Sequence, residues 1–299
     1  MRTAPVRGRN VERGLVTTLR VIGPGRAGLS LMAALDAAGD FECRGALGRG
    51  DPVRDAARGV DLLVIATPDD QVRSVAAAVT PVPSTVVVHL SGSLGLDVLG
   101  RHPRRGSIHP LVPLPDPVTG ADRLRSRVTF AVAGDPLVAS VVSSLGGHPV
   151  TVEDARRATY HAAACIAANH AVALIGQVER VAASAGLPLE TFAGLIRAAV
   201  DDALALGPRT ALTGPASRGD WGTVDGHRRV LSALATPRTE LAAYDAMVAL
   251  ARRLSAGDGP SSTAPEQPAA TPVTDLVTAP GPVSDRAPVG AAVSVGARA

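Results

Sequence analysis

Gly23-Pro24-Gly25-Arg26-Ala27-Gly28 spaces three glycines as G-x-G-x-x-G. That spacing suits one task. The first glycine permits a tight turn, the second lets backbone approach a pyrophosphate, and the third lets a helix pack closely on a strand. A helix that starts there offers free N–H groups and its positive dipole end to phosphates. Six residues alone are weak evidence, and their context is what strengthens them. The apolar run Leu19-Arg20-Val21-Ile22 precedes the motif and an apolar helical stretch follows it. A dinucleotide site is therefore expected, contacted by Gly23, Pro24, Gly25, Arg26, Ala27 and Gly28. The plain alternative is an ordinary glycine-rich turn.

An NAD site carries an acid about 20 residues beyond the glycines, where it bonds the ribose 2′-hydroxyl. Counting on from Gly28 reaches Gly48-Arg49-Gly50, and no acid closes that stretch. Arg49 stands there instead, where a guanidinium can pair with a 2′-phosphate. Asp51 comes two residues late. NADP(H) is the expected cofactor, against the alternative that Arg49 is a solvated loop residue.

Other chemistry-bearing residues fall where strands should end. Thr67 and Pro68 follow Leu62-Leu63-Val64-Ile65-Ala66, and both are expected to touch cofactor. Ser91 follows Thr85–Leu90, where it either bonds a substrate or caps a helix. His109 and Pro110 follow a further short strand. In open α/β sheets, ligands sit beyond such carboxyl ends. His161, Cys165 and Asn169 are spaced by four residues, which places successive positions within about 40° on an α-helix. His161 is the preferred proton donor because imidazole titrates near neutrality. His109 is the rival donor, and Asn169 would orient substrate. Cys165 reads as a small buried hydrophobe. Arg218 and Asp220 read as a pair holding a loop, with a substrate clamp by Arg218 as the sharper alternative. The seven histidines are dispersed, so no metal site is expected.

The elements that must position these groups alternate. Strands are expected at 18–22, 41–47, 62–66, 85–90, 106–110, 128–132 and 148–152, with helices between them. The first helix, 26–38, should turn Leu29, Met32, Ala33 and Leu35 inward, and Gly39 should stop it. This alternation implies an α/β Rossmann fold, a doubly wound parallel sheet. After residue 153 the pattern becomes all-helical. One long helix is expected over 154–185 and a second over 189–206. A loop over 213–220 and another helix follow, and a last helix starts at Thr236-Pro237 and runs to about Leu254. The expected organisation is a loose arm over 1–17, a Rossmann dinucleotide-binding domain over 18–153, an all-α C-terminal domain over 154–254, and a disordered tail over 255–299.

Composition narrows the classes. No run reaches the roughly 18 consecutive apolar residues of a membrane span. The arginine-rich start lacks an apolar core, so no secretory signal is expected. Cys43 and Cys165 are isolated, which suits a reducing, cytoplasmic compartment. Three Phe, two Tyr and one Trp are too few for base-stacking platforms, and nucleic acid is not an expected partner. All 30 basic residues counted as Lys or Arg are arginine, so no step can use a lysine as acid, base or Schiff-base former.

Tyr160-His161-Ala162-Ala163-Ala164 and Leu212-Thr213-Gly214-Pro215-Ala216-Ser217-Arg218-Gly219-Asp220, added to the glycine motif and to Ile108-His109-Pro110-Leu111, carry a family resemblance. Residues 18–254 resemble Rossmann-like NAD(P)-binding oxidoreductases whose helical second half is a domain of unknown function. More distantly the layout is similar to pyrroline-5-carboxylate reductase, prephenate dehydrogenase, ketopantoate reductase and 6-phosphogluconate dehydrogenase. The resemblance implies reduction of a small-molecule keto acid or related carbonyl, with ketopantoate, in pantothenate synthesis, as the named substrate. Imine or prephenate-like chemistry in the same superfamily is the alternative. So is a non-catalytic, dinucleotide-binding regulatory role. It also implies a homodimer built on the long helices. One departure stands out: ketopantoate reductases and their relatives rely on a helix-borne lysine as proton donor, and this chain has none.

Overall fold

The computed structural model describes residues 16–234 and 239–257. The chain divides into two compact units, residues 1–189 and 190–299. The expected arm falls outside the described residues up to position 15, as does the expected tail from 258 onward.

The first unit opens with β1 (Thr17–Ile22), α1 (Arg26–Ala38), β2 (Phe41–Leu47), β3 (Leu62–Ile65), α2 (Asp69–Ala78), β4 (Val86–His89) and β5 (Arg104–Pro110). It continues with α3 (Pro117–Leu124), β6 (Thr129–Gly134), α4 (Leu137–Ser144) and β7 (His148–Thr151). One seven-stranded sheet runs in the order 2-1-3-4-5-6-7. The chain moves outward from β1 in both directions, so the order reverses between β1 and β3, where open α/β sheets hold their ligands. Strands β1 to β5 are mutually parallel. The β5–β6 pairing is antiparallel, with His109 opposite Ala131, and β7 is parallel to β6. The sheet is thus mostly parallel, and the last two strands correct the expectation of a wholly parallel one.

Strands β3 and β4 are buried along their whole length, as residues covered on both faces must be. Side chains alternate between the faces. Leu62, Val64, Val86, Val88 and Ile108 pack on one side with Leu31, Leu35 and Phe130. Leu63, Ile65 and Val87 pack on the other with Val72 and Ala76 of α2. Because Ile108 points to the first face, the two-residue period turns Ser107 and His109 to the second, together with His89.

α1 keeps its expected bounds and stops at Gly39 in the left-handed region (φ 84°). Its phase differs from expectation. Gly28, Leu31, Ala34 and Leu35 are buried, whereas Ala33 is exposed and Leu29 and Met32 are half-buried. Gly28 sets this phase. A Cβ there would run into the Gly23 carbonyl oxygen and stand 3.0 Å from both Val21 Cγ1 and Ala66 Cβ, so the glycine face has to lie against β1.

After a 3₁₀ turn at Asp154–Arg156 come α5 (Arg157–Cys165), a π turn (Ile166–His170) and α6 (Ala171–Ser184). The expected single helix is therefore continuous but not uniformly α. In the second unit, a 3₁₀ turn (Leu189–Phe192) leads into α7 (Ala193–Leu206), followed by α8 (Pro208–Ala211), α9 (Pro215–Arg218), α10 (Trp221–Ala233) and α11 (Thr239–Ala256). The expected loop over 213–220 contains the short helix α9, because Pro215 suits a first helical position. Thr236-Pro237 lies outside the described residues, and Ser255-Ala256 extends the last helix instead of beginning a tail.

Gly28→Ala should lower stability by about 1–3 kcal/mol, since the added methyl meets rigid backbone. Gly25→Ala adds a methyl with nothing within 4 Å and should stay within about 0.5 kcal/mol of the parent. Urea unfolding of the two variants checks both.

Candidate active site

The glycine turn joins β1 to α1 beside the end of β3. Gly23 has φ 97°, and a Cβ on it would stand 2.7 Å from the Ala66 carbonyl oxygen. Its N–H donates to the Leu47 carbonyl at 2.9 Å, which ties the turn to the end of β2. Gly25 is the N-cap residue of α1. No side chain fills that cap, and the first turn carries no acid. The helix N-terminus is thus unclaimed, with an open face where a side chain would otherwise stand. Thr67 Oγ1, next to the turn, is buried with no hydrogen-bond partner. An open N-terminal cradle beside an orphaned hydroxyl fits a dinucleotide's phosphates and ribose.

Arg49 is exposed in the turn after β2 and forms no ion pair among the described residues. Asp51 accepts the Gly48 N–H at 2.7 Å and so stabilises that turn. A Cβ on Gly48 would lie 3.6 Å from Pro24, so this turn borders the glycine loop. Arg26 is exposed at the first residue of α1, and Pro68 is the N-cap residue of α2.

A second group of residues gathers at the carboxyl ends of β4 and β5. His109 Nδ1 and Tyr160 Oη are 2.6 Å apart and share a hydrogen bond. The His109 and His161 rings meet edge to face with centroids 5.8 Å apart. Gly92 makes room for both: a Cβ there would stand 2.7 Å from His161 Cδ2 and 2.8 Å from His109 Cε1. Cys165 Sγ lies 3.8 Å from His161 Nε2. Burial pushes His109 down to about 4, helped by the neighbouring His161 and Arg157. Burial also pushes the Tyr160 phenol up to about 12. At neutral pH the Tyr160–His109 pair is therefore uncharged, which removes imidazolium at His109 as a proton source.

Ser91 is almost fully buried and already engaged. Its hydroxyl donates to Asp69 Oδ2 at 2.7 Å, and its oxygen accepts the N–H groups of Ser93 and Leu94 at 3.2 Å each. Ser93 donates to the same carboxylate oxygen. Ser91 does not cap the next helix, a 3₁₀ turn over Leu96–Leu99 whose N-cap residue is Gly95; it braces the turn that precedes it. Asn169 is exposed in the π turn and has no hydrogen bond among the described residues. The π turn begins at Ile166, between His161 and Asn169, so four-residue α-helical steps do not describe their relation.

Three residues with no role assigned from the sequence support the cluster from below. Arg157 is 1% exposed. It donates from Nη2 to Ser107 Oγ and from Nε to Asp154 at 3.2 Å, while Nη1 has no partner. Asp154 also accepts the Leu96 N–H at 2.9 Å. His89 is fully buried, and neither ring nitrogen has a partner of normal geometry. Burial and then the Arg157 charge push it down to about 4, against weaker opposing effects of Gly95, Asp69 and Asp154. Tyr160 could have been found, as it adjoins His161 and lies in the motif that carries the resemblance. Arg157 lies one helical turn before His161, which is the only signal it gives.

In the second unit, Arg218 and Asp220 do not pair as expected. Asp220 caps α10 through the Thr223 N–H and hydroxyl, and Arg218 is exposed. Among the described residues no cluster of three or more His, Cys, Asp or Glu could hold a metal ion.

Residues 128–251 match the family described as a domain of unknown function, DUF2520. No curated protein sequence matches the chain. Several solved structures do. A Bacteroides fragilis protein described as a candidate NADP oxidoreductase is 18% identical, with a TM-score of 0.64 over 79% of this chain and 98% of that one. A Thermotoga maritima protein is 24% identical, with a TM-score of 0.61 over 80% and 99%. The fold is Rossmann-like. Plasmodium falciparum pyrroline carboxylate reductase, solved with NADP bound, shares it at 14% identity, with a TM-score of 0.53 over 80% of this chain and 98% of that one.

Acid should destabilise this protein. His89 and His109 hold folded-state values of about 4, below the ordinary 6.5. Between those limits the unfolded chain binds more protons, so stability rises with pH and is lost as pH falls from about 6.5 toward 4. For His89 the slope approaches about 1.4 kcal/mol per pH unit. His89→Leu should flatten the profile, as read from urea midpoints near neutrality and at about pH 5.

Proposed function

We propose that the protein is an NADP(H)-dependent reductase of a small keto acid or a related imine. The observation that carries this reading is the placement of two sites within one unit. An open, uncapped helix N-terminus lies at the β1/β3 reversal, and an uncharged Tyr160–His109 pair with His161 lies at the ends of β4 and β5. The pyrroline carboxylate reductase that shares the fold was solved with NADP, which supports the cofactor and the imine branch.

Gly23 to Gly28 would hold the pyrophosphate, with Thr67 and Pro68 beside it, and Arg49 would pair with the 2′-phosphate. Bound NADPH would supply the hydride. As the substrate carbon gains that hydride, the C=O or C=N π pair moves onto oxygen or nitrogen. That atom takes a proton from His161, which is half-buried and recovers the proton from solvent. Tyr160 and His109 line the same space as neutral hydrogen-bonding groups and orient the polar end of the substrate. No lysine is needed in this arrangement.

The test is NADPH oxidation by the purified protein with ketopantoate in one arm and 1-pyrroline-5-carboxylate in the other, each beside NADH controls. NADPH is the expected reductant. His161→Ala should lower kcat by about 10²–10⁴-fold. Arg49→Ala should raise KM for NADPH about tenfold and leave that for NADH unchanged, as expected for loss of one charged pairing. Tight NADPH binding without turnover in either arm overturns the reductase reading and favours a nucleotide-binding regulatory role.

A homodimer belongs to the same proposal. The helical run Asp154–Ser184 spans 31 residues and is long and apolar enough to cross a membrane, with none of its apolar window buried. It exposes Ile166 (59%), Val172 (70%) and Leu174 (45%). The run also contains His161, Asn169, His170 and Glu179, which hydrocarbon would penalise heavily. A second copy of the chain covers such a surface at lower cost. Light scattering should give twice the mass of one chain, and Val172→Glu should shift the population to monomer.

A further inference from the structure

The second unit has a concavity of its own. Ser217 and Gly219 at the end of α9, Trp221 at the start of α10, and Arg252, Arg253 and Ser255 on α11 line a cavity of about 590 Å³. It contains the end of the Leu212–Asp220 segment, the most distinctive stretch of the helical half, which the reductase reading does not use.

Local structure explains the shape. Gly219 adopts φ 71° and reverses the chain after α9. Asp220 then starts α10, and Trp221 is the first residue of that helix. Arg252 and Arg253 lie three and four residues after Ala249 on α11, so they share the face that lines the cavity. The Arg252 guanidinium carbon sits 5.0 Å from the centre of the Trp221 ring, which holds that cation over the indole.

The cavity's polar groups are mostly donors. Arg252 and Arg253 form no ion pair among the described residues. The adjacent carboxylate, Asp220, is committed to Thr223 at 3.1 Å and 2.7 Å. Ser217 and Ser255 turn their hydroxyl protons to the carbonyls of Gly214 and Ala251. Two arginines and the Trp221 indole remain among the residues that line the space. Arg253, in the last turn of α11, also complements the negative helix end, but Arg252 lies outside that turn, over an indole 41% exposed.

We propose that this concavity binds a small organic anion, a carboxylate or phosphate group gripped by Arg252 and Arg253 beside Trp221. Guanidinium forks match both groups with paired hydrogen bonds. Trp221 supplies the apolar wall.

Trp221 is the only tryptophan in the chain, so its fluorescence reports this site alone. The full-length protein is titrated with citrate in one arm and inorganic phosphate in the other, at ionic strength held constant with sodium chloride. A saturable change in at least one arm is expected, and the arm that responds identifies the anionic group. Arg253→Gln, which leaves the Arg252–Trp221 stack in place, should weaken that binding about tenfold or more with an unchanged melting temperature. A response no different from chloride alone in both arms overturns the proposal, as does unchanged saturation in Arg253→Gln. Neither result depends on turnover in the first unit.

Discussion

The close approach of backbone to backbone at the end of β1 is the constraint from which the first unit follows. Gly28 lies against the Gly23 carbonyl and β1, and Gly23 lies against the Ala66 carbonyl at the end of β3. No side chain fits at either contact. The first fixes the phase of α1, so Leu31 and Leu35 become its core face. The second fixes how near the turn sits to β3, which brings Thr67 beside the cradle. The Gly23 N–H to Leu47 bond then closes the turn onto β2 and brings Arg49 to its border. A contact that looks like packing therefore also sets the cradle's geometry. Gly25 is the one glycine of the three with open space around it, the space the proposed reading gives to the pyrophosphate.

A different balance operates under the histidine cluster. Arg157 is a buried cation with only part of its hydrogen-bonding capacity used, and His89 is a buried ring with no partner of normal geometry. Buried polar groups left unpaired are costly, so a fold optimised for stability alone would not place both side by side. The return is electrostatic. Arg157 links α5 to β5 through Ser107, and to the loop after β4 through Asp154 and Leu96. That linkage holds Tyr160 and His161 at their distances from His109, and its positive charge helps keep His89 and His109 neutral.

Much of this was legible in the residues. The bounds of α1 and β2 could be read without error because Gly25, Gly39 and the apolar runs mark them locally. The inner face of α1 could not, since composition around Leu29 to Leu35 is apolar on several sides and a contact with Gly23 decides the phase. The antiparallel β5–β6 pairing was hidden for a similar reason. A buried strand reads the same in either direction. The π turn at Ile166–His170 leaves no mark on a run of alanines, yet it undoes the helical spacing that linked His161 to Asn169. His109 and His161 were recognisable singly as residues at a strand end and on a helix. Their meeting depends on Gly92, a residue that carries no chemistry of its own.

A reductase without lysine needs another proton source, and the proposed reading divides that work within the histidine cluster. A lysine would bring a flexible cation, able both to hold a polar substrate group and to protonate it. In the proposed reading the two tasks fall to different residues. Tyr160 and His109 form a short, uncharged hydrogen bond that titrates far from neutrality on both sides, about 12 for the phenol and about 4 for the ring. Such a pair can position a carbonyl or imine without exchanging charge with it. His161, edge-on to His109 and half-buried, is the donor in the proposed reading and stands apart from the pair assigned to positioning. Gly92 must stay small for a plainer reason: a Cβ there would stand 2.7 Å from the His161 ring and 2.8 Å from the His109 ring.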